Sequence, residues 1–156
     1  MKEVIRKFDV AVDRDQLVEL WQRVFAYEGA HNAPELVLEK KLSVADGLLF
    51  VAEADGKAVG SVMAGYDGHR GWIYSLAVLP EYRKRGLGSR LMQHAEEQLK
   101  ALGCVKINLQ ILKGNEAVES FYRTLGYESE QRISMGKKIP ENMSCATPVR
   151  EPNRVP

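Results

Sequence analysis

Between Leu76 and Arg90 the chain reads L-A-V-L-P-E-Y-R-K-R-G-L-G-S-R, an apolar strand that runs into Pro80, turns through Gly86 and Gly88, and becomes a helix. Proline cannot continue a central strand, and the two glycines remove side chains where backbone must come close to something. The helix that follows offers free N–H groups and the positive end of its dipole to the turn. Arg83, Lys84 and Arg85 add cationic charge beside it. A diphosphate fits this set of groups; an ordinary loop with a solvated basic run is the other reading of the same residues. Two better-known phosphate motifs are missing. Leu91 stands where G-x-G-x-x-G needs its third glycine, and no G-x-x-x-x-G-K-[ST] occurs, which sets aside a dinucleotide fold or a P-loop.

The flanking elements describe an α/β (α+β) fold around a mixed sheet. Val4 to Phe8 reads as a short strand, and Asp13 with Gln16 resembles a capping box before Leu17, Leu20, Trp21, Val24 and Phe25 at helical spacing. Pro34 suits the first turn of a second helix over Leu36 to Leu42. Asp55-Gly56 between the apolar runs Leu48–Ala54 and Lys57–Tyr66 is a strong hairpin signal, and Trp72 to Val78 adds a third strand after a turn at Asp67–Gly71. Leu87, Leu91, Met92, Ala95, Leu99 and Leu102 then mark a long helix closed at Gly103. Val105, Ile107, Leu109 and Ile111 alternate with polar residues as a strand does. Asn115 opens a helix through Val118, Phe121, Tyr122 and Leu125 that ends at Gly126, and Tyr127 to Ile139 has the composition of one more strand or hairpin. One domain over 1–139 and a polar, proline-rich tail over 140–156 are expected.

Composition narrows the function classes. A formal net charge of +1 gives no global field toward nucleic acid or an anionic membrane. No stacking aromatics accompany the basic run, so no nucleic-acid partner is expected. The segment MKEVIRKFDV has charges where a signal peptide needs an apolar run, and no window is long and apolar enough to span a membrane; a cytoplasmic location with no membrane partner is expected. Cys104 and Cys145 lie far apart without CxxC spacing, so neither a disulfide framework nor a metal site is expected. His31, His69 and His94, the last on the polar side of the long helix, read more readily as exposed or satisfied side chains than as catalysts.

Arg83-Lys84-Arg85-Gly86-Leu87-Gly88 resembles the Q/R-x-x-G-x-G/A signature of the GNAT acyltransferase superfamily, in the family's setting of strand, turn and long helix. Asn115, Ala117 and F-Y-R-T-L-G-Y from Phe121 to Tyr127 are similar to its N-x-A…Y-x-x-x-G-[FY] region, and the Y-D-G-H-R-G turn from Tyr66 to Gly71 resembles a YpeA-like bacterial branch. The resemblance implies a mostly antiparallel central sheet flanked by helices, with a splayed pair of central parallel strands. It implies acetyl-CoA as cosubstrate, an amine of a small molecule, peptide or protein as acceptor, and direct acetyl transfer. By position, Leu76, Ala77 and Val78 would pair with the pantetheine, the Leu76 amide would meet the acetyl carbonyl, and Arg83, Lys84, Arg85, Gly86, Leu87, Gly88 and Ser89 would hold the pyrophosphate. Tyr122 would protonate the departing thiolate, though on spacing alone it is a core aromatic. Asn115 would cap its helix, bond the pantetheine or do both.

The general base is where this chain departs from the family. Many relatives carry a glutamate two or four residues before the leucine, and Tyr74 and Trp72 stand there instead. These two are expected to shape the acceptor pocket, with Glu28, His31 and Glu35 as the available acid-base groups and Glu81 as a weak candidate. A homodimer is left open, and a non-catalytic acetyl-CoA-binding module is the competing reading.

Overall fold

The computed structural model describes residues 2–25 and 30–140. Strand β1 (Val4–Lys7) leads into α1 (Val10–Val24), a single 3-10 turn at Ala30–Asn32 and α2 (Pro34–Val44). Three strands follow, β2 (Leu49–Ala54), β3 (Lys57–Tyr66) and β4 (Arg70–Val78), then α3 (Leu87–Ala101), β5 (Lys106–Leu109) and α4 (Glu116–Thr124). The sheet order is β1-β2-β3-β4-β5, antiparallel except for the parallel β4–β5 pair. Asp55 and Gly56 both have positive φ, which matches the twist of the β2–β3 hairpin they connect.

Two contacts fix which face is which. A Cβ at Gly60 of β3 would meet Leu91 of α3, so that face of the sheet carries α3. The next residue, Ser61, accepts a hydrogen bond from Trp21 Nε1 of α1 at 3.0 Å in the opposite layer. The core lies in both interfaces, with Leu17, Leu20 and Trp21 on one side and Leu91, Met92, Ala95 and Leu99 on the other.

Four expectations need correction. α1 begins at the Asp9 cap, whose side chain accepts from the Ala11 amide, rather than at Asp13. Asp13 lies inside the helix because it has stronger partners. Its carboxylate accepts from Arg6 Nη1 at 2.6 Å, Arg6 Nη2 at 2.9 Å and the Asp9 amide at 2.8 Å, while Arg6 also donates to Glu53. The strand expected over Val105–Ile111 pairs only at Lys106–Leu109. No strand forms over Tyr127–Ile139. Ile133, Met135 and Ile139 recur at a strand-like spacing but stand 80–91% exposed, and Lys106, Asn108 and Gln110 hold this segment through the Glu130 and Ser134 side chains instead of a backbone ladder. Finally, His94 is half-buried, with its ring edge-on to Phe50 at 4.7 Å, so it sits at the core margin rather than on the polar side of α3.

Asp13 is 1% exposed, and burial pushes its pKa upward, but the Arg6 hydrogen bonds and charge with the Asp9 amide prevail and hold it below the usual carboxylate value. Asp13→Asn should lower the unfolding free energy by about 2 kcal/mol, because it takes the charge from the buried hydrogen bonds to Arg6 while Arg6 keeps Glu53. Urea unfolding measures the loss. A depressed folded-state pKa stabilises above the unfolded pKa and stops doing so as pH falls through the folded value, so the gap between wild type and variant should close in acid.

Candidate active site

β4 outlasts its parallel partner. The two strands pair from Arg70↔Lys106 to Ile73↔Leu109, where β5 ends, while β4 continues to Val78. The Leu79 amide donates to Val59 O at 2.9 Å, so main-chain groups in phase with Leu79 face β3. Ala77, in register with Ser61, is in that phase. The amides and carbonyls of Leu76 and Val78 therefore point the other way, into the opening that β5 has left, and Val78 O is reached from that side by Arg83 Nε at 3.0 Å. Leu76 and Val78 thus present an unpaired strand edge of the kind an extended ligand can join. Ala77 corrects the expectation: its main chain serves the β3 ladder.

A β-bulge divides the strand. Met63 pairs with Ser75 and Ala64 with Ile73, which leaves Tyr74 as the extra residue. Its ring lies over Gly65, where a Cβ would come within 2.9 Å of it. Tyr74 is 60% exposed, and burial of its inner part, with the charges of Asp46 and Asp67, raises its pKa. Strict alternation would put Trp72, Tyr74 and Leu76 on one face. The bulge changes the phase, so Trp72 and Tyr74 lie on the α1 face while Leu76 lies on the α3 face, beside the first turn of α3.

The glycine turn begins with a 3-10 turn at Pro80–Tyr82 and contains two left-handed residues, Lys84 at φ +61° and Gly86 at φ +76°. Gly86 caps α3 without a side-chain hydrogen bond. The amides from Lys84 to Ser89 find no acceptor among the described residues, the Arg90 amide being the first to bond back to Gly86 O. Leu87 anchors the helix in the core, so it has only main chain to offer here. Arg83 and Arg85 are exposed and brace the turn as well as charging it: Arg85 donates to Glu81 O at 3.0 Å and covers the Tyr82 ring at 5.2 Å.

Gly88 is the meeting point. A Cβ there would lie 3.4 Å from the Phe121 ring of α4 and 4.0 Å from Leu76 Cδ2 of β4. Asn115 caps α4 by accepting from the Val118 amide at 3.4 Å, and the helix then places Phe121 and Tyr122 side by side. Tyr122 is 8% exposed, lies edge-to-face with Phe121 and Tyr127, and has its phenol pKa pushed up to about 12 by burial. The strand edge, the open amides and the Phe121 ring of α4 therefore meet at Gly88, with the buried Tyr122 ring edge-on to Phe121.

The acceptor-side residues are more dispersed. Trp72 is half-buried, in register with Asn108 of β5. Glu35 is exposed and accepts from Gln22 Nε2 at 3.4 Å, on a groove of about 250 Å³ between α1 and α2. His31 is exposed in the 3-10 turn, and Glu28 lies outside the described residues. Glu81 is exposed and joined to Arg23 at 3.1 and 3.2 Å, and those hydrogen bonds hold its carboxyl below the usual range. Sequence reasoning missed Gly65 and the Tyr74 bulge, because neither glycine spacing nor alternation marks an extra residue in advance.

A family model described as the acetyltransferase (GNAT) family matches residues 14–127, which includes β4, the glycine turn and α4 as far as Tyr127. The chain belongs to the GNAT family. It is 42% identical over 130 residues to an acetyltransferase of Pectobacterium atrosepticum, covering 83% of this chain and 92% of that one. Among solved structures, an aminoglycoside N-acetyltransferase AAC(6')-Iy in complex with CoA superposes with a TM-score of 0.72 at 22% identity, over 88% of this chain and 95% of the other. A PaiA N-acetyltransferase from Thermoplasma acidophilum in complex with coenzyme A gives 0.74 at 21%, over 85% and 94%. These two likenesses are of fold. As a GNAT member the protein is an acetyl-CoA-dependent N-acetyltransferase. Among the described residues no cluster of His, Cys, Asp or Glu is placed to hold a metal, and no helix is long and apolar enough to cross a membrane.

Proposed function

We propose that acetyl-CoA lies along the open edge of β4, with its pyrophosphate against the amides of Lys84 to Ser89 and its thioester beside the Leu76 amide. The observation that carries this reading is the meeting of Leu76 and Phe121 at Gly88, with Tyr122 edge-on to Phe121. The cosubstrate supplies an activated acetyl group as a thioester. The Leu76 N–H donates to the carbonyl oxygen as negative charge develops there, a type of donor that contributes a few kcal/mol in the transition state. Arg83, Lys84 and Arg85 add positive charge around the diphosphate, and Asn115 holds the start of α4 by accepting from the Val118 amide and bonds the pantetheine when it is bound. Tyr122 gives its proton to the departing thiolate. Burial keeps that phenol protonated at neutral pH, and a general acid fails only as pH rises through its own pKa, so its limb of the rate profile belongs on the alkaline side, above that of an ordinary phenol.

α3 and α4 close one face of the β4–β5 opening, so the acceptor amine enters from the α1 face, over Tyr74 and Trp72. Those rings favour an amine with an apolar or aromatic portion beside it. The acceptor is a primary amine of a small molecule, peptide or protein. Residues 1–139 form the catalytic domain with 140–156 as a tail, and the enzyme works in the cytoplasm, as a homodimer if it assembles. Acetyl-CoA incubated with a panel of polyamines, amino acids, aminoglycosides and peptides tests this reading: amine-dependent thiol release with an acetylated product is expected, and cofactor binding without release under any amine would overturn it.

No side chain of β4 serves as base. The amine loses its proton through water or a group from Glu28, His31 and Glu35. With an acceptor in hand, pH profiles of Glu28→Gln, His31→Ala and Glu35→Gln should show partial effects on the limb where rate rises with pH, whereas Glu81→Gln should leave it in place. Loss of that limb in Glu81→Gln alone would make Glu81 the base.

A further inference from the structure

We infer that Tyr127 and Glu96 form a positioning pair that fixes the direction of the Tyr122 hydroxyl, an inference that rests on Tyr122 being the proton donor. α4 spans nine residues, of which only Tyr122 is buried. A helix that short does not hold its own orientation, so tertiary contacts must set it. Phe121 meets Gly88 at the glycine turn and fixes one side. Tyr127 fixes the other by three routes. Gly126, at φ +93°, ends the helix so that the Tyr127 amide donates back to Tyr122 O at 3.1 Å. The Tyr127 ring stands edge-on to the Tyr122 ring, with centroids 5.8 Å apart at 74°. Its hydroxyl then donates to Glu96 Oε1 at 3.1 Å, on the middle of α3.

The third contact is what distinguishes a positioning role from packing. A phenylalanine at 127 would fill the same space and press on Tyr122 equally well, but it would be free to slide along α3. A hydrogen bond to a carboxylate is directional and stronger than one between neutral groups, so it ties α4 to the helix whose first turn holds the proposed pyrophosphate site. It also separates the roles of the two phenols. The Tyr127 proton is engaged by Glu96, and burial followed by the Glu96 charge lifts its pKa beyond the ordinary phenol range, so Tyr127 does not compete as a donor. Tyr122, whose hydroxyl meets no hydrogen-bond partner among the described residues, is the phenol left to give its proton.

The test is the rate of thiol release from acetyl-CoA with hydroxylamine, a nucleophile small enough to need no acceptor pocket, alongside acetyl-CoA affinity by calorimetry. Tyr127→Phe and Glu96→Ala should each lower kcat about 10-fold, the scale of a small misplacement at the reacting atoms, with affinity and KM for acetyl-CoA unchanged. Glu96→Gln retains a carbonyl acceptor and should recover most of the loss. In a Tyr122→Phe background, Tyr127→Phe should have no further effect. A 3-fluorotyrosine-labelled enzyme adds a readout independent of turnover: the fluorine resonance lost in Tyr122→Phe should move in Tyr127→Phe and return toward its place in Glu96→Gln. If Tyr122→Phe slows the enzyme while Tyr127→Phe does not, or if Tyr127→Phe slows both backgrounds equally, the positioning pair is overturned and the proton-donor reading stands. If Tyr122→Phe itself leaves the rate unchanged, the donor reading fails and the pair fails with it.

Discussion

Tyr122→Phe should reduce kcat by about 10²- to 10⁴-fold, the range that a positioned general acid contributes, while leaving acetyl-CoA affinity within about twofold of wild type. The substitution removes one oxygen from a ring that is 8% exposed and wedged between Phe121 and Tyr127, so packing is conserved and the fold should tolerate it. What is lost is the proton for the leaving thiolate, a need that arises only as the carbon–sulfur bond breaks. Steady-state kinetics under conditions where chemistry limits turnover, paired with calorimetry, checks both halves. An unchanged rate would return Tyr122 to the role of a core aromatic.

Gly88→Glu should weaken acetyl-CoA binding by about 10³-fold, since like charges brought together at a binding site cost several kcal/mol. A Cβ at this position would be in ordinary contact with Phe121, and a carboxylate in the first turn of a helix favours the helix dipole, so the variant should remain folded. Its side chain would nevertheless occupy the approach to the Lys84–Ser89 amides and place negative charge where the diphosphate belongs. Calorimetric titration with acetyl-CoA reads the effect, and circular dichroism confirms the helix content. Undiminished affinity in a folded Gly88→Glu protein would remove the pyrophosphate from this turn.

The parts of the site that depend on local conformation were readable in the residues. Asp55-Gly56 announced its hairpin because both positions need positive φ, and the apolar spacing from Leu87 to Leu99 allowed no element but a helix. Gly86 and Gly88 were singled out together, yet they act differently: Gly86 takes the left-handed conformation, while Gly88 lies beside Phe121 and Leu76, where a Cβ would make only ordinary contact. What alternation hides is any change of phase. The extra residue at Tyr74 moved Trp72 and Tyr74 to the face opposite Leu76, and the direction of the Leu76 and Val78 main-chain groups depends on the β3 register rather than on their side chains. Asp13 misled for a related reason. A carboxylate near a helix start reads as a cap, and its partner Arg6 comes from the preceding strand. Likewise, period-two apolar residues at Ile133 and Met135 describe a strand only if a backbone partner is within reach, and side-chain bonds from β5 keep that segment off the ladder.

The cosubstrate is proposed to occupy the open edge of β4 and the first turn of α3. Amide resonances of isotopically labelled protein, followed during titration with coenzyme A, test it most directly. The largest shifts are expected at Leu76, Val78 and the amides from Lys84 to Ser89, with the α1–α2 groove lined by Arg14, Glu19 and Glu35 nearly unmoved. Largest shifts in that groove, with Leu76, Gly86 and Gly88 in place, would contradict it.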